Sequence, residues 1–172
     1  MTAPAATPFH GIVFRQCAPD HADLPATLAH NERHGGRFNP PGEFGAIYVA
    51  VERATALREL ARQAALLGFA VDELLPRTML RLELHVGRVL DLTDPAVCRA
   101  WGLPGTDMGA IPREDCWEIA RAAHRSGYEA IRFSSATGVG TCLAVFLDRL
   151  APGSHLEIEE ATTVTLSEDD RL

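Results

Sequence analysis

The sequence predicts an α+β fold, a single domain with a mostly antiparallel sheet core flanked by helices. Three observations lead there. Segments with strand patterning outnumber helical ones, and the two do not alternate as they would in a doubly wound parallel sheet. One run, Thr78 to Val86, alternates strictly, with Leu80, Leu82, Leu84 and Val86 on one face and Arg81, Glu83 and His85 on the other. One segment, Arg53 to Leu67, has the spacing of an amphipathic helix. At 172 residues the chain is long enough for one real core.

In chain order, residues 1–10 have little to pack and are expected to be flexible. Gly11 to Gln16 (GIVFRQ) forms a first strand with Arg15 near its end. A short helix around Ala26 to Asn31 follows, with Pro25 in its first turn. The stretch from Gly35 to Gly45 holds Asn39, Pro40, Pro41 and Gly42, too many turn formers for a helix. Ala46 to Val51 is an apolar strand carrying Tyr48. In the Arg53–Leu67 helix, Leu57, Leu60, Ala61, Ala64 and Leu67 make the buried stripe, Glu59 lies on a flank with Thr55 and Arg62, and Gly68 ends it.

After the alternating strand and Gly87, a separate strand is expected over Arg88–Leu92. Asp94 caps a short helix reaching Trp101, with Pro95 in its first turn. Residues 102–113 form a loop. A helix from Glu114 to Arg125 buries Cys116, Ile119, Ala120 and Ala123 and stops at Gly127. Strands follow at Tyr128–Phe133 and Cys142–Leu147, joined by the small-residue loop SSATGVG. Strand pieces at 155–160 and 162–166 precede an acidic tail, 167–172.

Composition excludes several functions. The longest apolar run, Ala64 to Val71, cannot span a bilayer. With no basic start and apolar stretch at the N-terminus, a cytoplasmic location is expected. A net charge of −7 disfavours direct binding to nucleic acid, though not an anionic ligand in a locally basic cleft. Cys17, Cys98, Cys116 and Cys142 lack metal-ligand spacing and read as buried thiols. His30 and His34 are four apart, but Gly35 and Gly36 follow at once and no third ligand stands nearby, so no metal is expected. TGVGT lacks the rest of a dinucleotide fingerprint, and an apolar strand follows it in place of a helix. His85 and His124 sit in ordinary strand and helix positions.

Arg37, Tyr48 and Glu59 stand eleven residues apart on a loop, a strand and a helix. Short connections keep consecutive elements adjacent, so these three can meet in one cleft. Taken singly each has a plain alternative: an arginine tying a turn to a carboxylate, a half-buried tyrosine, a glutamate paired with Arg62 at i+3. Together they form a pattern. GGRFNPPGEFGAIYVA, followed by a helix bearing Glu59, resembles the opening motif of RES-domain proteins, a family named for an arginine, a glutamate and a serine. The resemblance is fullest over 34–60 and extends to the aromatic–Arg pair of the first strand and to residues 128–147. The loop at 102–113 and the acidic tail have no counterpart in it.

The resemblance implies a RES domain over residues 11–166 with an ADP-ribosyltransferase-like fold. It implies a toxin of a bacterial toxin–antitoxin pair that cleaves NAD at the nicotinamide–ribose bond, by phosphorolysis or hydrolysis. NAD is then a consumed substrate, not a recycled cofactor, and inorganic phosphate is a candidate co-substrate. On the matching positions Arg37 and Glu59 are catalytic. Ser134 and Ser135 in AIRFSSATGVG both fit the family serine; we place the catalytic serine at Ser134, with Ser135 beside it as substrate-binding. Arg15 and Tyr48 complete the substrate-binding set. Arg37 and Arg15 would hold pyrophosphate or phosphate, Tyr48 the nicotinamide end, and the serine a ribose or phosphate oxygen. The implied partner is a cognate antitoxin, Xre-like and DNA-binding, that blocks the cleft. Two alternatives share the motif: a protein ADP-ribosyltransferase, and a non-catalytic partner-binding domain.

Overall fold

Thr7–Cys17 (β1) opens the computed structural model, which describes residues 6–165. It is followed by Leu24–His34 (α1), Ile47–Ala50 (β2), Arg53–Leu67 (α2), Thr78–Asp91 (β3), Pro95–Ala100 (α3) and Arg113–Arg125 (α4). Ala130–Ser134 (β4), Thr141–Val145 (β5) and His155–Thr163 (β6) complete it. The sheet runs β1-β2-β5-β4-β3-β6, and β1 also pairs with β3, so five strands close on themselves and β6 branches off β3. Every pairing is antiparallel except β3 with β4. This is the α+β, mostly antiparallel architecture expected from the patterning.

Side-chain alternation separates two apolar clusters. Val13, Ile47, Val49, Leu82, Leu143 and Val145 pack on one face of the strands. Phe38, Leu92, Ile119, Ile131, Phe133 and Phe146 pack on the other, under the helices and the Arg37 loop. Helix α2 lays Ala56, Leu60 and Ala64 against this body, and the fully buried Leu60 contributes about 2 kcal/mol of apolar burial. Leu67, expected in that stripe, is exposed, together with Leu66 and Phe69, because the helix overruns the core by its last turn. The caps expected at Asp94 and Gly68 are present, and Asp23 adds one at a helix that starts earlier, at Leu24. Asp23 accepts from the Ala26 amide at 2.7 Å, Asp94 from that of Ala96 at 2.7 Å, and Gly68 is left-handed.

Several boundaries differ from those predicted. Strand β1 begins at Thr7, inside the segment expected to be flexible, because its outer residues pair with the long strand β3. The two strands predicted at 78–86 and 88–92 are one, β3, and the pieces predicted at 155–160 and 162–166 are one, β6, as far as the description extends. The acidic tail lies outside the described residues. Gly87 interrupts the side-chain pattern without ending the strand. It marks the place where β3 leaves β6, its partner through His85, and takes up β4 from Val89.

Glu129 makes that fork possible. It is 1% exposed, and its Oε2 accepts from the Gly87 and Arg88 amides at 2.8 Å each, while Oε1 accepts from the Ala151 amide at 2.9 Å. Burial works to raise its pKa, but hydrogen bonds from the Ser154 side chain and these amides outweigh it and hold the carboxyl below the ordinary range. Replacing Glu129 by alanine strands buried amides and is expected to cost about 3 kcal/mol in chemical denaturation. The pKa is lowered on folding, so this stabilisation is complete above the unfolded value of about 4.5 and is lost as pH falls through the folded one. The stability gap between wild type and Glu129→Gln should therefore narrow below that pH; a constant gap would show that the charge contributes nothing.

Candidate active site

The loop between α1 and β2 is held by side-chain bonds that account for its composition. The Tyr48 hydroxyl accepts from the Phe38 amide at 2.8 Å and donates to Asn39 Oδ1 at 2.7 Å. Asn39, fully buried, donates in turn to the carbonyls of Asn31 at 2.8 Å and Phe44 at 3.2 Å. Trp117 Nε1 reaches the Gly36 carbonyl at 2.8 Å. Gly36 is glycine because a Cβ there would lie 2.5 Å from the Tyr48 hydroxyl. Burial raises the Tyr48 phenol above its ordinary pKa.

Above this loop lies a cleft of about 330 Å³. Arg15, Arg37, Tyr48 and Glu59 all line it, so the structure brings together four residues singled out in the sequence. Arg37 Nη1 donates to the carbonyls of Met108 at 2.6 Å and Ile111 at 3.3 Å. Nη1 also lies 4.0 Å from Cys116 Sγ, and among the described residues no carboxylate partners Arg37. Among the described residues its other guanidinium nitrogens donate no hydrogen bond. Arg15 Nη1 donates to the Tyr48 carbonyl at 3.0 Å, while its Nε is buried with no partner among the described residues. Burial lowers the Arg15 pKa from its usual value, yet a guanidinium starts so high that it stays charged.

Glu59, on the flank of α2, accepts a 2.6 Å hydrogen bond at Oε1 from Ser135, which is 3% exposed. The bond belongs to Ser135 and not to Ser134, the serine placed first in the sequence reading. Strand alternation gives the reason. Ile131 and Phe133 face the cluster beneath the helices, Ser135 continues that face, and Ser134 falls on the opposite one. Nearby Cys142 is pushed up to about 12, by burial and then by the charge of Glu59, so it is an inert thiol.

Two cleft arginines were not singled out as ligand-binding. Arg62 had been noted as a plain partner for Glu59, but the two form no ion pair among the described residues, and Arg62 lines the cleft. Arg113 arrives from the start of α4, and no local pattern marks it. Four arginines and one glutamate therefore line the same cleft, a basic cleft in an acidic chain suited to a phosphate-bearing ligand. Among the described residues no group of three His, Cys, Asp or Glu side chains is arranged to hold a metal ion, and no helix is long and apolar enough to cross a membrane.

A family model described as the RES domain matches residues 12–167. Relatives from Mycobacterium bovis and Mycobacterium tuberculosis, each named NAD(+) phosphorylase MbcT, are 29% identical over 135 residues, covering 77% of this chain and 72% of theirs. The chain also superposes on the crystal structure of the M. tuberculosis MbcT–MbcA toxin–antitoxin complex, with a TM-score of 0.80 and 25% identity. That match spans 93% of this chain and 87% of the other.

The Tyr48 network is testable apart from any reaction. Tyr48→Phe keeps the ring but strands the Phe38 amide and one Asn39 oxygen, a loss of about 2 kcal/mol. Hydrogen exchange at the Phe38 amide should accelerate; unchanged protection there would mean that the hydroxyl does not hold the loop.

Proposed function

The chain belongs to the RES domain family, and from that premise we propose that it is the toxin of a toxin–antitoxin pair, cleaving NAD at the nicotinamide–ribose bond. The observation that carries this proposal is the placement of Glu59 in a cleft lined by four arginines. Phosphate is the favoured acceptor, because the relatives are named NAD(+) phosphorylases, and hydrolysis is the same chemistry with water.

The chemistry suits the side chains. The nicotinamide ring of NAD is cationic, and the electrons of the breaking C–N bond neutralise it, so it leaves without a general acid. The ribose left behind is oxocarbenium-like and needs an anionic neighbour. Glu59 supplies it. Oε1 is tied to Ser135, and Oε2, which takes no hydrogen bond from the described residues, is left for the sugar. Arg15, Arg37, Arg62 and Arg113 hold the pyrophosphate of NAD and the incoming phosphate, whose oxygen then bonds the anomeric carbon. Tyr48 lines the cleft while its hydroxyl holds the wall, and positions the nicotinamide end.

The proposed partner is an Xre-like, DNA-binding antitoxin that blocks the cleft, and the proposed setting is the cytoplasm, where NAD is available. Such a partner silences the enzyme by occupying the arginines, so the complex should leave NAD intact; full turnover by a stable complex would count against blocking.

NAD consumption by partner-free protein, with and without inorganic phosphate and with products weighed by mass spectrometry, tests the function directly. ADP-ribose-1″-phosphate formed only with phosphate is the expected result, and intact NAD in both conditions overturns the proposal. Glu59→Gln should lower kcat by about 10³-fold with an unchanged thermal midpoint; a variant as active as wild type removes Glu59 from the mechanism.

A further inference from the structure

The hydroxyls behind Glu59 form a chain whose direction follows from counting protons. A hydroxyl owns one proton and two lone pairs. Ser135 gives its proton to Glu59 Oε1 at 2.6 Å, a short bond of the charge-assisted kind. It has none left for Thr137, whose Oγ1 lies 2.7 Å away. With the Ser135 proton on Glu59, we assign Thr137 as the donor across that contact, its single proton bifurcated between Ser135 Oγ and the Val139 carbonyl at 3.1 Å. The Thr137 amide also donates to Ser135 Oγ, at 3.1 Å. Ser135 therefore gives one hydrogen bond and receives two. Its hydroxyl is saturated by the protein, so a ribose hydroxyl or phosphate entering the cleft meets Glu59 and not Ser135.

We infer that Thr137 is a positioning residue for the NAD-cleaving reaction, an inference that rests on the function proposed above. By donating to Ser135, Thr137 fixes the direction of the chain Thr137→Ser135→Glu59 and strengthens its last bond. Without the Thr137 hydroxyl, Ser135 keeps its bond to Glu59 and the Thr137 amide but regains a free lone pair, and the bond to Glu59 loses the donor that strengthens and directs it. The role of the family serine changes with it: Ser135 acts through Glu59 and does not itself anchor a ribose or phosphate oxygen.

The test is steady-state kinetics of NAD consumption with saturating inorganic phosphate, on wild type, Thr137→Val and Thr137→Ser. Valine removes the hydroxyl, keeps the shape and leaves the backbone bond to Ser135. Thr137→Val should lower kcat about tenfold, with KM for NAD within about twofold of wild type. Thr137→Ser should restore kcat, and thermal midpoints should agree across the set. A Thr137→Val enzyme with wild-type kcat, or one whose KM alone rises, overturns the inference and leaves the proposed function standing. Wild-type protein that leaves NAD intact removes both, and the two failures are told apart by that control. Should Thr137→Val not fold, Thr137→Ala takes its place under the same criteria.

Discussion

The Tyr48 hydroxyl is the contact on which the site's geometry depends. It closes the Arg37 loop by taking the Phe38 amide and giving its proton to Asn39, and the Tyr48 carbonyl receives Arg15 from β1. One residue of β2 thus fixes a loop on one side and a cationic side chain on the other. Glycine at position 36 is the steric consequence, since any side chain would occupy the place of the hydroxyl. A twelve-residue connection without helix or strand would otherwise be a poor support for a guanidinium. Here Asn39, Trp117 and Tyr48 take up the polar groups that burial would strand.

Electrostatics gives the cleft its character against the charge of the whole. The chain carries −7, yet the cleft gathers Arg15, Arg37, Arg62 and Arg113 with Glu59. Arg37 spends one nitrogen on the carbonyls of the 102–113 loop, which fixes its place without neutralising it. A carboxylate partner there would have cancelled the charge. Among the described residues the remaining guanidinium nitrogens give no hydrogen bond, and on the proposed function these are the ones that meet the ligand.

Much of the site was legible in the sequence because its first half is local. Arg37, Tyr48 and Glu59 lie on consecutive elements, and turn chemistry and helical period suffice to bring them together. What the sequence hid was long-range. Nothing local tells that Arg37 reaches Met108, that Arg113 enters from α4, or that Glu129 sits at the fork of β3. The helix α2 was recognisable by its period, but where the core stops beneath it was not, and Leu67 came out exposed. Gly87 looked like a strand end because glycine breaks a side-chain pattern, while the backbone ladder has no need of a side chain. The choice between Ser134 and Ser135 was different. The period of two, carried one step past Phe133, puts Ser135 and not Ser134 on the face that meets Glu59.

Sheet order then explains how distant segments reach bond-length precision. Strand β5 lies between β2 and β4, so the end of β4 and the start of α2 come to the same side of the sheet although Ser135 and Glu59 are 76 residues apart. A flexible β4–β5 connection would not hold a 2.6 Å bond. This one is closed on itself, with the Ser135 amide on the Gly140 carbonyl at 2.9 Å and the Gly138 amide on that of Ser135 at 3.0 Å. It is also packed on α2, because Gly140 is left-handed and so close to Thr55 that a Cβ has no room. Thr55 stands four residues before Glu59, one turn along the same helix. The loop that carries Ser135 is thereby referenced to the helix that carries Glu59, and their separation is set by backbone packing before any side chain rotates. On the proposed function Glu59 faces a short-lived cation, and that order of construction suits it, since an error of one ångström in the supporting shell is enough to lose such a site.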